Sequence, residues 1–191
     1  MDARTTSQLL QFASGGDHVV QNWEDETVLA DTVGRYLRAG LSYGEAVVVV
    51  ARPAHFELFK RQLPQARGAG RSGQLRFFDA EDSLAKFTRD GMPDWTRFRA
   101  AMGGLIAELR LQYPAVRVYG EMVDLLWQRG AREAAIRLEE FWNDLANIQT
   151  FSLFCAYQLD DRDSLAYGES FECVCRLHTH LIPAGYAGNE P

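Results

Sequence analysis

At 191 residues, 47% hydrophobic and 24% charged, with 11 phenylalanines and 4 tryptophans, the chain has the make-up of one globular domain with a sizeable core, not of a disordered segment. Its net charge of -6 excludes a general attraction to nucleic acid or to an anionic membrane. No apolar run approaches the ~20 residues of a membrane span, so no membrane partner is expected.

Residues 1–16, MDARTTSQLLQFASGG, have no basic start followed by a long apolar run and do not read as a signal peptide. They are expected to be a flexible lead-in, followed by one domain over residues 17–186 and a short tail at 187–191. Residues 17–23 predict a first strand, and 25–39 a helix with Val28, Leu29, Val33, Tyr36 and Leu37 on one face, capped at Gly40. Ala46–Ala51 is a continuous apolar run, as a strand buried on both faces requires. Pro53 opens another helix, "GAGRSG" at 68–73 reads as a loop, and Leu75–Asp79 as a third strand. Residues 80–93 are irregular, with a turn marked by Asp90-Gly91 and Pro93. Asp94 caps a long helix ended by Pro114, and Val116–Gly120 is a fourth strand. A helix over 131–148, a fifth strand over Phe151–Leu159 and a last helix over 167–179 complete the pattern. Strands alternating with helices at these lengths predict a three-layer α/β fold, a mainly parallel sheet flanked by helices.

In open parallel sheets, ligands bind beyond the carboxyl ends of the strands. That rule selects Gln21, Asn22, Trp23 and Glu24, then Asp79, Glu81 and Asp82, then Tyr119, Glu121 and Asp124, then Tyr157, Gln158 and Asp160. The edge is acidic and aromatic. It suits a small organic ligand or a cation, and suits ATP badly, because phosphates need backbone donors or basic side chains close by. Each single acid has a simpler reading as a helix cap, Asp25, Glu81 and Asp94 among them.

"GAGRSGQ" lacks the Gly-Lys-Ser/Thr ending of a phosphate loop and sits between helix and strand instead of strand and helix. The three cysteines, Cys155, Cys173 and Cys175, are odd in number, and the last two are too close for an easy bridge, so a reducing cytoplasm is the expected setting. "CVCRLHTH" at 173–180 carries ligand-type residues, but Cys173 and Cys175 are two apart on a helix, and His178 and His180 sit where they cap its carbonyls. Core and cap roles are preferred there; no metal and no cofactor are expected. Glu121 and Asp124 form a carboxylate pair without a nucleophile, so no catalytic residue is assigned.

"HVVQNWEDETVLADTVGRYLRAGLSYGEAVVVVA", "GQLRFFDAEDSLAKFTRDGMPDWTRF", "VRVYGEMVDLLWQRG", "FSLFCAYQL" and "FECVCRLHTHLIP" together resemble the MEDS domain, a sensory domain of methanogen and methylotroph regulators named partly for DcmR. The resemblance covers about residues 17–186. It implies a RecA/KaiC-like core that has lost its phosphate loop. It also implies a sensory role, with ligand binding passed to a signalling partner such as a kinase or transcription regulator.

The expectation is therefore a cytoplasmic, non-enzymatic sensory domain that binds a small organic ligand. Trp23, Tyr119 and Tyr157 would form its walls alongside Gln21 and Asn22, and Asp79, Glu81 and Glu121 would orient the ligand. The loop at 81–93 would shift, to be read by a partner or a second subunit. Two alternatives stay open: an interaction module without a ligand, and a nucleotide- or metal-dependent enzyme using Glu121 as base.

Overall fold

The run AVVVVA at 46–51 is buried at every position, because a strand lies on each side of it and helices cover both faces. The computed structural model describes residues 4–64, 66–158 and 168–186. Its strands are β1 (His18–Trp23), β2 (Ala46–Ala51), β3 (Leu75–Asp79), the short β4 (Thr88–Arg89) and β5 (Met92–Pro93), β6 (Val116–Gly120), β7 (Ser152–Gln158) and β8 (His180–Ile182). Six of them form one sheet in the order β3-β2-β6-β7-β1-β8, every pairing parallel. β4 and β5 form a separate antiparallel hairpin.

Alternation along β2 separates two cores. Val47, Val49 and Ala51 face α1 (Thr6–Gln11), α2 (Glu26–Ser42), α3 (Pro53–Arg61) and α4 (Ala66–Ser72). Val48 and Val50 face the other layer. That layer holds α5 (Ala80–Phe87), α6 (Trp95–Phe98), a π-helical turn at Arg99–Gly103, α7 (Gly104–Arg110), α8 (Met122–Gln128), α9 (Arg132–Ala146) and α10 (Gly168–Arg176). The expected three-layer, mainly parallel α/β fold is what the chain adopts. Among the described residues, no helix is long and apolar enough to cross a membrane.

Several local expectations are corrected. The described part of the lead-in, residues 4–16, is packed, not loose: Thr5 caps α1, Leu9 and Leu10 are buried, and Asp17 holds Arg4. "GAGRSG" is mostly helical, because Ala69 is buried against the core; the break comes at Gly73, whose φ is +77°. Gly40 is not the cap of α2. The helix runs on to Ser42, and the positive φ falls at Gly44. Residues 80–87 form α5, and Asp90-Gly91, both at positive φ, turn the hairpin. A helix follows β6 directly, and a strand follows α10, where Thr179 N donates to His18 O at 2.7 Å.

Candidate functional site

β1 delivers its carboxyl end straight into the turn before α2. There the Asp25 carboxylate accepts from the backbone of Thr27 at 2.6 Å and Val28 at 3.4 Å. These N–H bonds hold the Asp25 carboxyl below its usual range. They also occupy donors that a phosphate at a helix N-terminus would use. Trp23 is buried and meets His55 edge-on at 5.8 Å. Gln21 is fully buried and donates to Thr32 Oγ1 at 3.3 Å. Gln21 Oε1 and Asn22 Oδ1 have no hydrogen-bond partner among the described residues.

Glu121, at the carboxyl end of β6 and 1% exposed, is the centre of a buried ionic group. Its Oε2 accepts from Arg52 N at 2.8 Å and from Arg52 Nη1 at 3.3 Å. Its Oε1 meets His55 Nδ1 at 2.7 Å and accepts from the Tyr119 hydroxyl at 3.0 Å. Arg52 also donates to Asp124, whose other oxygen accepts from Gln158 N at 3.0 Å. Burial pulls the His55 pKa down, but the hydrogen bond and charge of Glu121 outweigh it, and the net shift is upward. Burial raises the Asp124 carboxyl, with Arg52 opposing. It lifts the Tyr119 phenol well above its ordinary value, aided by Glu121. The group fastens the ends of β2, β6 and β7 together. Glu121 already serves these donors with both oxygens, so it is a built-in counter-ion and not a vacant base.

The remaining edge residues fall into separate places. Asp79 caps α5, accepting from Glu81 N at 2.7 Å and Asp82 N at 3.2 Å. Glu81 is half exposed and pairs with Arg129. Tyr157 points to the other core, away from Trp23 and Tyr119, and donates to Glu139 at 2.6 Å. Trp23, Tyr119 and Glu121 are therefore brought together around His55, while Asp79, Glu81 and Tyr157 are not part of that group. Tyr157 cannot share a pocket wall with Trp23, because it pairs in register with Asn22, and adjacent residues of a strand face opposite layers.

Glu81 borders a half-open hollow of about 280 Å³, lined by Leu84, Ala85 and Thr88 of the α5–β4 segment, Gly91 of the hairpin, and Leu126, Arg129 and Ala131. Its wall is mainly apolar, with Thr88 and the Glu81–Arg129 pair as its polar parts. Sequence reasoning missed Arg52 and His55, although the strand-end rule reaches them: "ARPAH" follows the apolar run of β2 as "YGE" follows that of β6. It missed the hollow because no local pattern marks a space between helices.

Residues 17–179 match the family model described as MEDS, methanogen/methylotroph, DcmR sensory domain. No curated protein sequence matches the chain. Among solved structures, it is similar to the flagellar accessory protein FlaH from Methanocaldococcus jannaschii, with 13% identity and a TM-score of 0.51 over 89% of this chain and 71% of that one. Likeness at that identity concerns the fold alone. The similarity is one of architecture, a mainly parallel sheet flanked by helices on both faces, and this sequence carries no Gly-Lys-Ser/Thr phosphate loop.

Proposed function

The chain belongs to the MEDS family of sensory domains, and on that premise we propose that it binds a small organic ligand without turning it over and passes the event to a partner protein. The observation that carries this reading is the hollow between α5, the β4–β5 hairpin and α8. It lies just under the ~300–1,000 Å³ of ordinary ligand sites, so it takes a small molecule. Apolar walls would hold an apolar body, and the Glu81–Arg129 pair offers both a donor and an acceptor at the rim. The hairpin that closes one side has only two residues in each strand, which makes it the readily displaced part of the wall. Glu121 and its partners would keep the neighbouring strand ends rigid while the hairpin moves. A signalling protein such as a kinase or transcription regulator would then read the hairpin.

Thermal-shift screening against small metabolites and solvents tests the reading. A ligand at a hundred times its Kd adds about 2.7 kcal/mol of stability. Ala85→Trp, which fills the hollow, should abolish that gain while the protein stays folded. A ligand that stabilises the variant equally would place binding elsewhere. A broad library that stabilises nothing, combined with partner capture unaffected by Ala85→Trp, would favour an interaction module without a ligand.

A further inference from the structure

On the face of the sheet opposite Trp23 and Tyr119, four side chains from distant parts of the chain aim at one point. His18 starts β1, Glu139 lies on α9, Cys155 is in β7 and His178 follows α10. Each offers one ligand-type atom, and these atoms all lie within 4.8 Å of one another. His18 Nε2 is 3.2 Å from Glu139 Oε2 and 3.5 Å from Cys155 Sγ. His178 Nε2 is 3.4 Å from Glu139 Oε1, and Cys155 Sγ is 3.7 Å from Glu139 Oε2. Tetrahedral zinc with bonds of about 2.0–2.3 Å to nitrogen, oxygen and sulfur sets its ligand atoms about 3.3–3.7 Å apart. We propose that these residues form a site for a transition-metal dication of the zinc type, bound through Nε2 of His18 and His178, Sγ of Cys155 and a carboxylate oxygen of Glu139.

The surroundings fit a metal better than a set of hydrogen bonds. His18 Nδ1 faces Asn143 Oδ1 at 2.9 Å, and the orientation of that amide is fixed because its Nδ2 donates to Leu177 O at 2.9 Å. His178 Nδ1 donates to Val174 O at 2.7 Å. Both rings thus spend their Nδ1–H on an oxygen, and in the neutral ring both Nε2 lone pairs point inward. Holding each ligating imidazole by its other nitrogen is the usual second layer of a metal site. His178 Nε2 is buried, has no hydrogen-bond partner among the described residues and faces Glu139 Oε1 at 3.4 Å. Two lone pairs facing a carboxylate repel unless a cation sits between them. A dication with one carboxylate and one thiolate gives no net buried charge, which the interior favours. The Tyr157 hydroxyl bonds to Glu139 Oε1 at 2.6 Å and orients the carboxylate.

This departs from the expectation of no metal, which came from taking "CVCRLHTH" as a unit. The site uses only His178 from that stretch and draws its other ligands from three distant elements. Four protein ligands close the shell, so the ion would be a fastening and not a catalyst. It would join β1, α9 and β7 to the segment that leads into β8.

The test is metal analysis of the purified full chain, followed by chelation and titration with Co²⁺ or Zn²⁺. About one metal per chain, a higher Tm on Zn²⁺ addition and a thiolate-to-cobalt charge-transfer band are expected. Cys155→Ser should remove that band, and Cys173→Ser should keep it. Asn143→Ala should weaken metal affinity about 10–100-fold, with the far-ultraviolet dichroism retained. Should Cys155→Ser fail to fold, the wild-type titrations decide alone. A folded wild-type protein that carries no metal and answers neither Zn²⁺ nor Co²⁺ overturns the proposal, leaving protons to fill the cluster. A cobalt band that survives Cys155→Ser also overturns it.

Discussion

Arg117 donates to Leu10 O at 2.8 Å, tying the middle of the chain to a helix that precedes the first strand. The same guanidinium reaches Gln11 O at 3.0 Å, Tyr36 O at 3.2 Å and the Glu45 carboxylate, and Arg117 is only 1% exposed. α1 owes its place to these bonds as much as to Leu9 and Leu10. Arg117→Met should cost about 3 kcal/mol, the lower end for breaking a buried pair, because Glu45 keeps some contact with water. Urea unfolding gives the magnitude. Hydrogen exchange should show the loss of protection concentrated in residues 6–11; loss spread evenly over the sheet would contradict the assignment.

Gly40 lies beneath Arg117. A Cβ there would stand 2.8 Å from Arg117 Cδ and 3.0 Å from Val47 Cγ2. Both neighbours are buried, so Gly40→Ala should destabilise by roughly 1–3 kcal/mol in spite of the better helix propensity of alanine. Combined with Arg117→Met, it should cost less than the sum of the two, since a methionine released from the guanidinium's hydrogen bonds can turn away from the added Cβ. Additive chevron or urea data would show that the clash is relieved in some other way.

Glu121→Ala removes the acceptor shared by Arg52, His55 and Tyr119. A loss of about 3–5 kcal/mol is expected, as for one partner taken from a buried ion pair. Glu121→Gln should keep part of the geometry and cost less. Equal losses for the two would mean that packing, not acceptor chemistry, holds the edge together.

The raised pKa of His55 makes this edge pH-dependent. Protonated His55 is favoured in the folded state, so its contribution is complete below the ordinary value of 6.5 and fades as pH rises through the higher folded value. Glu121, Arg52 and Glu26 face the ring and set the shift. Tm of the wild type should therefore fall relative to His55→Gln as pH rises from 6.5 upward. Parallel Tm curves for the two proteins would refute the linkage.

Much of the fold was legible because burial on two faces leaves continuous apolar runs. β2, β3 and β6 read directly as AVVVVA, LRFFD and VRVYG. α8 was not, since six of its seven residues are buried and a short helix buried all round carries no amphipathic period. β8 was hidden because three residues at a sheet edge form no pattern of their own. Asp25, Asp79 and Asp94 cap helices, and for Asp25 and Asp94 that role followed from position alone. The ionic group needed tertiary information. In the sequence Glu121 is one more strand-end acid, and only the pairing of β2 with β6 shows Arg52 and His55 covering it. Likewise nothing in the spacing of His18, Glu139, Cys155 and His178 announces that they meet.

β1 precedes the other strands of its sheet in the sequence, yet its two neighbours are β7 and β8. During synthesis it has no partner until residues 152–158 have emerged, most of the chain later. β2, β3 and β6 can assemble among themselves in the meantime. The HVVQNW segment is then an open strand edge for most of translation, the situation that invites pairing with another nascent chain. Pairings this far apart in sequence also slow folding. Expression at lower temperature or with holding chaperones should raise the soluble yield, and the gain should shrink in a circular permutant that begins at β7.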